Sequence, residues 1–436
     1  MISRQTPLGW QYAYTKKLWA TTESGAAFRR FMLRRNTPSY ARSSVKLLFS
    51  PPTNTLYKGT MSDKRKTALI LSGGGARGAY QVGVMCAIGE MLEPGQMPFQ
   101  VITGVSVGAI NAVSLASGAQ DLKKAIRRLA MLWGTLHTQQ VFETGADKVA
   151  LRFGHWLGYV LGGAFGVSPP KSLFDNAPLK ELISRETDFA QLKENLDGPV
   201  LDALSITASS YAEGLAVAFY QGSVDAADWQ RSRRVGRKCE IGPDHVLASA
   251  ALPFIFPAWK VDGTYYGDGA LRQIAPLSPA IHLGADKLLV IGARDGKITG
   301  EPVRQDAVPY PSIGQVSGQL MDIVFNDNLE ADVERLRRIN STLERMLPER
   351  RAQTDLRQLD VLMIKPSRDI REIAGEHAHE MPASVRLLLR SIGALKAPWV
   401  LPSYLLFEPG YIRALMALGR KDAEAQADEI KAFLGL

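Results

Sequence analysis

Thr67-Ala68-Leu69-Ile70-Leu71-Ser72-Gly73-Gly74-Gly75-Ala76-Arg77-Gly78 is an apolar run that stops at a glycine loop. Phe99-Gln100-Val101-Ile102-Thr103-Gly104-Val105-Ser106-Val107-Gly108 repeats that form further along the chain. Each run is short, free of charge and aliphatic, which predicts a strand buried on both faces. Small and apolar residues follow each loop, over about Ala79–Leu92 and Val107–Ser117, and predict a helix after each. Further strands are expected at Ala203–Ser209, Leu215–Tyr220 and Lys287–Ala293. Strands separated by helices predict an α/β protein with a mostly parallel sheet covered on both sides.

Beyond about Gly296 a connector holding Pro302, Pro309, Pro311 and Gly314 leads into a more helical tail. A long mixed-charge helix is expected over Gln319–Met346, a short strand over Asp360–Lys365, and helices over Ala383–Gly393 and Ala423–Phe433. The expected organisation is a catalytic domain over residues 61–295 and a mainly helical region, 296–436, packed on it. Residues 1–60 stand apart. They carry ten basic residues and one acid, and so account for the whole formal charge of +9. The other 376 residues are electrically neutral.

The arm reads as a disordered extension, or as sequence ahead of a true start at Met61. Its Arg- and Ser/Thr-rich, acid-poor composition also suits a transit peptide. A basic membrane-surface arm anchored by Trp10, Trp19 and Phe28 is a further reading. No apolar core of a secretory signal follows the basic start. No run reaches the length of a membrane span. The nearest, Trp156–Val167, is short and carries four glycines, so it reads as a lid, a membrane-touching loop or buried core. A cytoplasmic or peripheral membrane protein is expected.

With 46% apolar and 22% charged residues, the composition excludes a disordered chain, a collagen-like chain and a coiled coil. Two cysteines, Cys86 and Cys239, exclude a disulfide framework, and six scattered histidines suggest no metal centre. Neither a metal nor a cofactor is expected.

Gly73–Gly78 fits G-x-G-x-x-G between a strand and a helix. As a dinucleotide fingerprint it needs an acid at the end of the second strand, and Thr103 runs straight into Gly104. Two readings remain: a tight turn without a ligand, and an oxyanion hole built from backbone N–H groups with Arg77 adding positive potential. Gly104-Val105-Ser106-Val107-Gly108 is G-x-S-x-G between a strand and a helix, the setting of a nucleophile elbow. A serine hydroxyl needs a base. No histidine lies in a loop suited to a triad, and His282 reads as a packed helical residue. Two Asp-Gly pairs compete for the role. Asp262-Gly263 is explained as the turn of a hairpin over Trp259–Tyr266. Asp268-Gly269 follows the return strand, where no turn is needed, so Asp268 is the better base.

These motifs, together with Ala248-Ser249-Ala250-Ala251-Leu252-Pro253-Phe254-Ile255-Phe256-Pro257 and Asp268-Gly269-Ala270, resemble the bacterial patatin-like phospholipases in order and spacing. The resemblance covers about residues 67–295. Asp322-Ile323-Val324-Phe325 and Glu330–Arg338 are similar to the tail of such proteins. The resemblance implies a three-layer α/β/α fold with a helical C-terminal region and a Ser–Asp dyad without histidine. Carried onto this chain, Ser106 is the nucleophile and Asp268 the base. Gly73, Gly74, Gly75, Ala76, Arg77 and Gly78 form the oxyanion hole, and Gly104 and Gly108 flank the elbow. Ala270 stands where many members have glycine.

The expected activity is hydrolysis of phospholipid or other lipid esters, of phospholipase A or lysophospholipase type, with peripheral membrane contact compatible. A general esterase or thioesterase, or a noncatalytic scaffold, is the alternative. Nucleic acid is not an expected partner, because the body is neutral. Two weaker features complete the reading. Trp229–Lys238 clusters five basic residues, suited to anionic lipid but better read as a solvated loop. Tyr404–Phe407 and Tyr411–Met416 suit lipid contact but read better as core.

Overall fold

The apolar runs form the middle of one sheet. In the computed structural model, which describes residues 65–162, 171–223, 226–294 and 310–436, ten strands pair into it. They are β1 (Thr67–Leu71), β2 (Val101–Val105), β3 (Ala203–Ser210), β4 (Ala216–Gln221), β5 (Gln230–Arg231), β6 (Arg234–Lys238), β7 (Trp259–Val261), β8 (Thr264–Asp268), β9 (Lys287–Ile291) and β10 (Asp360–Ile364). The spatial order is β10-β9-β1-β2-β3-β4-β6-β5, with β8 joined to β3 and β7. From β10 to β3 all neighbours are parallel. The antiparallel pairs are β3–β4, β3–β8, β5–β6 and β7–β8.

Alternation along the strands sorts their side chains between two faces. Leu69, Leu71, Ile102, Leu204, Ile206 and Leu289 share a core with Tyr80, Met85 and Val113 of the helices Gly78–Met91 and Val107–Ser117. Ala68, Ile70, Val101, Ala203, Leu288 and Val290 share another with Ala280, Leu329, Val333 and Leu336 of the helices Ser278–His282 and Asn328–Glu344. The result is a three-layer α/β/α arrangement. The tail adds β10 at one edge and the helix Pro409–Glu424, which packs along Gly78–Met91. The described residues lie within one compact unit, 60–436.

Three expectations change. The helix expected at Gln319 starts at Ile313, and after Asp322 it loosens into a π turn, Ile323–Asp327, before continuing as Asn328–Glu344. The capping box of Ser312 and Gln315 sets that earlier start. The helix expected over Ala423–Phe433 spans a break between Pro409–Glu424 and Ala427–Leu434. The basic stretch 229–238 is solvated, with Arg231, Arg233 and Lys238 exposed, but it is not a loop. It forms the edge hairpin β5–β6, with Trp229 buried against Tyr220 and His282, because an indole gains more from stacking than from water. Tyr404–Phe407, Tyr411, Ile412 and Leu415 are buried, as core.

The arm 1–60, the boundary at 295/296 and most side chains of Trp156–Val167 lie outside the described residues. Among those described, no helix is long and apolar enough to cross a membrane.

Candidate active site

β2 runs through Gly104 to Val105, and the helix Val107–Ser117 begins two residues later. Ser106 alone makes the turn between them, at φ 55° and ψ −126°. A non-glycine residue at positive φ is strained, and such strain persists only where surrounding structure holds it. Two neighbours do so. The Ser106 N–H donates to Ser249 Oγ at 2.9 Å, and that hydroxyl donates to the Thr207 carbonyl at 2.6 Å. Gly108 admits the end of the next strand: a Cβ there would sit 2.2 Å from the Leu71 carbonyl oxygen.

Asp268 ends β8, opposite Ala208 of β3, while Val105 pairs with Thr207 on the other side of β3. The sheet therefore brings Ser106 and the Asp268 carboxyl group together across one strand. Asp268 is fully buried. Its Oδ1 accepts the Ala270 N–H at 2.9 Å, and its N–H donates to the Ala251 carbonyl at 2.8 Å. Among the described residues Oδ2 has no hydrogen-bond partner. Burial pushes the carboxyl pKa up to about 7, with the Ser106 hydroxyl and the Ala270 N–H pulling the other way. The Ser106 hydroxyl thus acts on the Asp268 carboxyl, while no hydrogen bond reaches Oδ2 among the described residues. Gly269 and Ala270 begin the short turn Gly269–Leu271 that carries the Ala270 N–H.

The glycine loop joins β1 to the helix Gly78–Met91. Leu71 pairs with Gly104, so loop and elbow start side by side. A Cβ on Gly73 would lie 3.2 Å from the Ser106 Cβ and 2.5 Å from the Phe325 ring. Gly75 has φ +56°, and a Cβ there would meet the Tyr404 carbonyl oxygen at 2.3 Å, so only glycine fits. The loop closes on itself. The Arg77 N–H donates to the Gly74 carbonyl at 3.2 Å, and the Gly78 N–H to Ala76 and Gly75. Of the six residues expected in an oxyanion hole, Arg77 and Gly78 therefore have their N–H groups engaged. Among the described residues, no backbone carbonyl outside the helices and strands accepts from the N–H of Gly73, Gly74, Gly75 or Ala76.

The Arg77 side chain also differs from expectation. Its charge is not free potential beside the loop. Nη1 lies 2.9 Å from Asp322 Oδ1, Nε and Nη2 donate to Ser403 Oγ at 3.0 and 2.7 Å, and the guanidinium sits 3.8 Å from the centroid of the Tyr404 ring. The Tyr404 hydroxyl donates to Asp322 Oδ1 at 2.8 Å. Burial works against the Arg77 charge, yet its pKa ends above the usual value through Tyr404 and Asp322. Since a phenol is neutral at physiological pH, Asp322 is the partner that keeps the cation buried.

Ser106, Gly75 and Phe325 open onto a cavity of about 60 Å³ walled by Ile110, Trp133, Leu136, Leu252, Phe256 and Phe407. Nearly all of its lining is carbon. No histidine lines it among the described residues. His282 stacks on Trp229, and burial lowers its pKa to about 4; His245 packs edge-on against Phe219. Neither position suits a catalytic base for Ser106.

Ser249, Asp322 and Ser403 had been given no role by sequence reasoning. One signal existed for Asp322: it is the only charged residue between Tyr310 and Asn326. A lone acid in an uncharged helix points to a buried partner.

A family model described as patatin-like phospholipase matches residues 69–281. Lysophospholipase nte1 of Aspergillus terreus is 39% identical over 75 residues, which are 16% of this chain and 5% of that protein. The chain thus covers a small part of that relative's length. The crystal structure of VipD from Legionella pneumophila is 13% identical with a TM-score of 0.35, the match covering 84% of this chain and 67% of that one. Human GIVD cytosolic phospholipase A2, in complex with methyl gamma-linolenyl fluorophosphonate, is 11% identical with a TM-score of 0.36, covering 85% and 59%.

Proposed function

We propose that the chain hydrolyses carboxylic esters of lipids, of phospholipase A or lysophospholipase type, through Ser106 and Asp268; the match of residues 69–281 to the patatin-like phospholipase family model supports this reading. The observation that carries this is Ser106 held at φ 55° beside a fully buried carboxyl group whose Oδ2 is unpartnered. Buried side-chain oxygens as a rule have a donor, and one left without it calls for an explanation.

In the reaction, ionised Asp268 takes the Ser106 proton as the oxygen attacks the ester carbonyl. A base with a pKa near 7 is matched to neutral pH. The oxyanion that forms rests on N–H groups of the Gly73–Ala76 segment, of which Gly73 lies against Ser106. Asp268 returns the proton to the departing alkoxide, then activates the water that frees the fatty acid. The carbon-lined cavity accepts acyl hydrocarbon, since burying each CH₂ is favourable by about 0.8 kcal/mol. No observation favours a soluble acyl substrate or a noncatalytic scaffold, where the strain at Ser106 would have no use.

The test is hydrolysis of a short-chain nitrophenyl ester and of phosphatidylcholine vesicles by wild type, Ser106→Ala and Asp268→Asn. Both variants are expected to lose about 10³-fold or more in kcat. Wild-type rates in folded Asp268→Asn overturn the dyad. Inactivity of the wild type on every ester tried overturns the hydrolase reading.

A further inference from the structure

The helix Ile313–Asp322 turns its apolar side outward. Ile313, Val316, Leu320 and Ile323 follow one another at spacings of three and four residues, so they form one stripe, and they are 76%, 47%, 58% and 45% exposed. Its inner side is glycine. A Cβ on Gly314 would lie 2.5 Å from the Ala394 Cβ, and one on Gly318 would lie 2.9 Å from the Val400 Cβ. The helix therefore rests flat on the fold through its smallest residues. A helix packed for stability alone does the reverse, with its apolar stripe on the core.

Two facts join this stripe to the active site. The helix leads directly into the π turn that carries Phe325, which packs on Gly73 beside Ser106. The same turn packs against Gly269–Leu271, the segment after Asp268, where Leu271 and Ile274 are also exposed. Exposed aliphatic side chains thus border the catalytic residues on two sides.

We propose that this face, built on Ile313, Val316, Leu320 and Ile323 with Leu271 and Ile274 beside it, docks on the surface of a lipid aggregate and presents the site to it. The inference rests on the lipid-ester reading above for its choice of partner. Charge favours lipid: from Pro311 to Met321 there is no Asp, Glu, Lys or Arg, and Asp322 is turned inward to Arg77. Composition does too. Protein interfaces draw their binding strength from Trp, Tyr and Arg, whereas this stripe is aliphatic, and a bilayer asks only for hydrocarbon. Tyr310, 94% exposed at the head of the helix, suits the head-group level.

The test uses the full chain carrying Ser106→Ala, so that vesicles stay intact, with and without Val316→Glu plus Leu320→Glu. Both substituted positions are at the surface, and equal melting temperatures will confirm folding. Sedimentation with neutral phosphatidylcholine vesicles is read at low salt and at about 0.5 M salt, where charge-driven binding is screened. The expected result is salt-resistant partitioning that the double substitution weakens about tenfold or more, since each glutamate removes aliphatic area and adds a charge. In the active enzyme the ratio of vesicle to soluble-ester hydrolysis falls alongside.

Equal partitioning of both proteins overturns the inference. So does partitioning that vanishes at high salt and spares the double variant, which assigns binding to the basic arm. Absence of wild-type partitioning overturns it as well, even if soluble esters are hydrolysed. Because partitioning is measured without catalysis, loss of all esterase activity would overturn the functional reading alone.

Discussion

Gly73–Gly78 and Gly104–Gly108 end neighbouring parallel strands, with Leu71 paired to Gly104, and each feeds a helix. They look alike in sequence and are held in different ways. The elbow is fixed by uncharged neighbours: the Leu71 carbonyl and Thr207 of the sheet, and Ser249 at the end of the helix Pro243–Ser249. The glycine loop is fixed by a buried cation. Arg77 reaches Asp322 and Ser403, hundreds of residues downstream, and Tyr404 closes over Gly75. The turn that carries Ser106, the proposed nucleophile, is thus completed by residues 71–249, whereas the turn proposed to receive the oxyanion is completed by residues 322–404. Removing Ser106 or Asp268 is the largest expected effect, and it tests the chemistry both turns serve.

The next largest tests the difference itself. Asp322→Ala leaves the Arg77 guanidinium buried without its partner, and stripping one side of a buried pair costs about 3–5 kcal/mol. Urea unfolding should show that loss. Activity at a temperature where the variant is still folded should fall about 10²-fold, the scale for misplacing one oxyanion donor. Wild-type stability in Asp322→Ala would erase the contrast, because the loop would then stand without the tail.

This contrast also explains what could be read in the sequence. Both turns, Ser106, Asp268 and the central strands are local patterns, in which a few adjacent residues fix the backbone. The Arg77–Asp322 pair is not local, and neither residue's neighbours name the other. The outward stripe of Ile313–Ile323 was hidden for another reason. Periodicity shows that a helix has an apolar side, but which side meets the core is decided by fit, here the two glycines against Ala394 and Val400. The π turn is equally a product of packing, placed where Phe325 meets Gly73.

On the elbow side, burial of Asp268 makes a stability prediction with an unusual sign. Its folded pKa, about 7, lies above the ordinary carboxylate value. The unfolded chain therefore loses its proton first as pH rises, and the fold weakens between about pH 4 and pH 7 and stays weakened above. Asp268→Asn keeps the shape of the protonated acid and removes that cost. It should raise stability by up to about 4 kcal/mol at pH 8, taking 1.36 kcal/mol for each pH unit, and leave it little changed at pH 4. The wild-type rate should rise with pH through about 7 as the base ionises. A stability gain equal at both pH values would mean that Asp268 titrates normally, and the elbow would lose its tuned base.

The smallest effect belongs to Ser249, which bridges the Ser106 N–H and the Thr207 carbonyl while fully buried. Ser249→Ala deletes the bridge and leaves two backbone groups without it, a cost of about 1–3 kcal/mol. That loss alone says only that the hydroxyl is structural. The elbow account asks for more: with the bridge gone, nothing polar holds the Ser106 N–H, and the strained turn can relax toward ordinary φ. The hydroxyl then spends less time aligned with Asp268, while the acyl cavity is untouched. On a soluble ester, kcat should fall about tenfold with KM nearly constant, the pattern of an interaction that matters only in the transition state. A fall in stability with kcat unchanged would show that the elbow holds its strain through Gly108 and the Leu71 carbonyl alone, and would make it the more self-sufficient of the two turns.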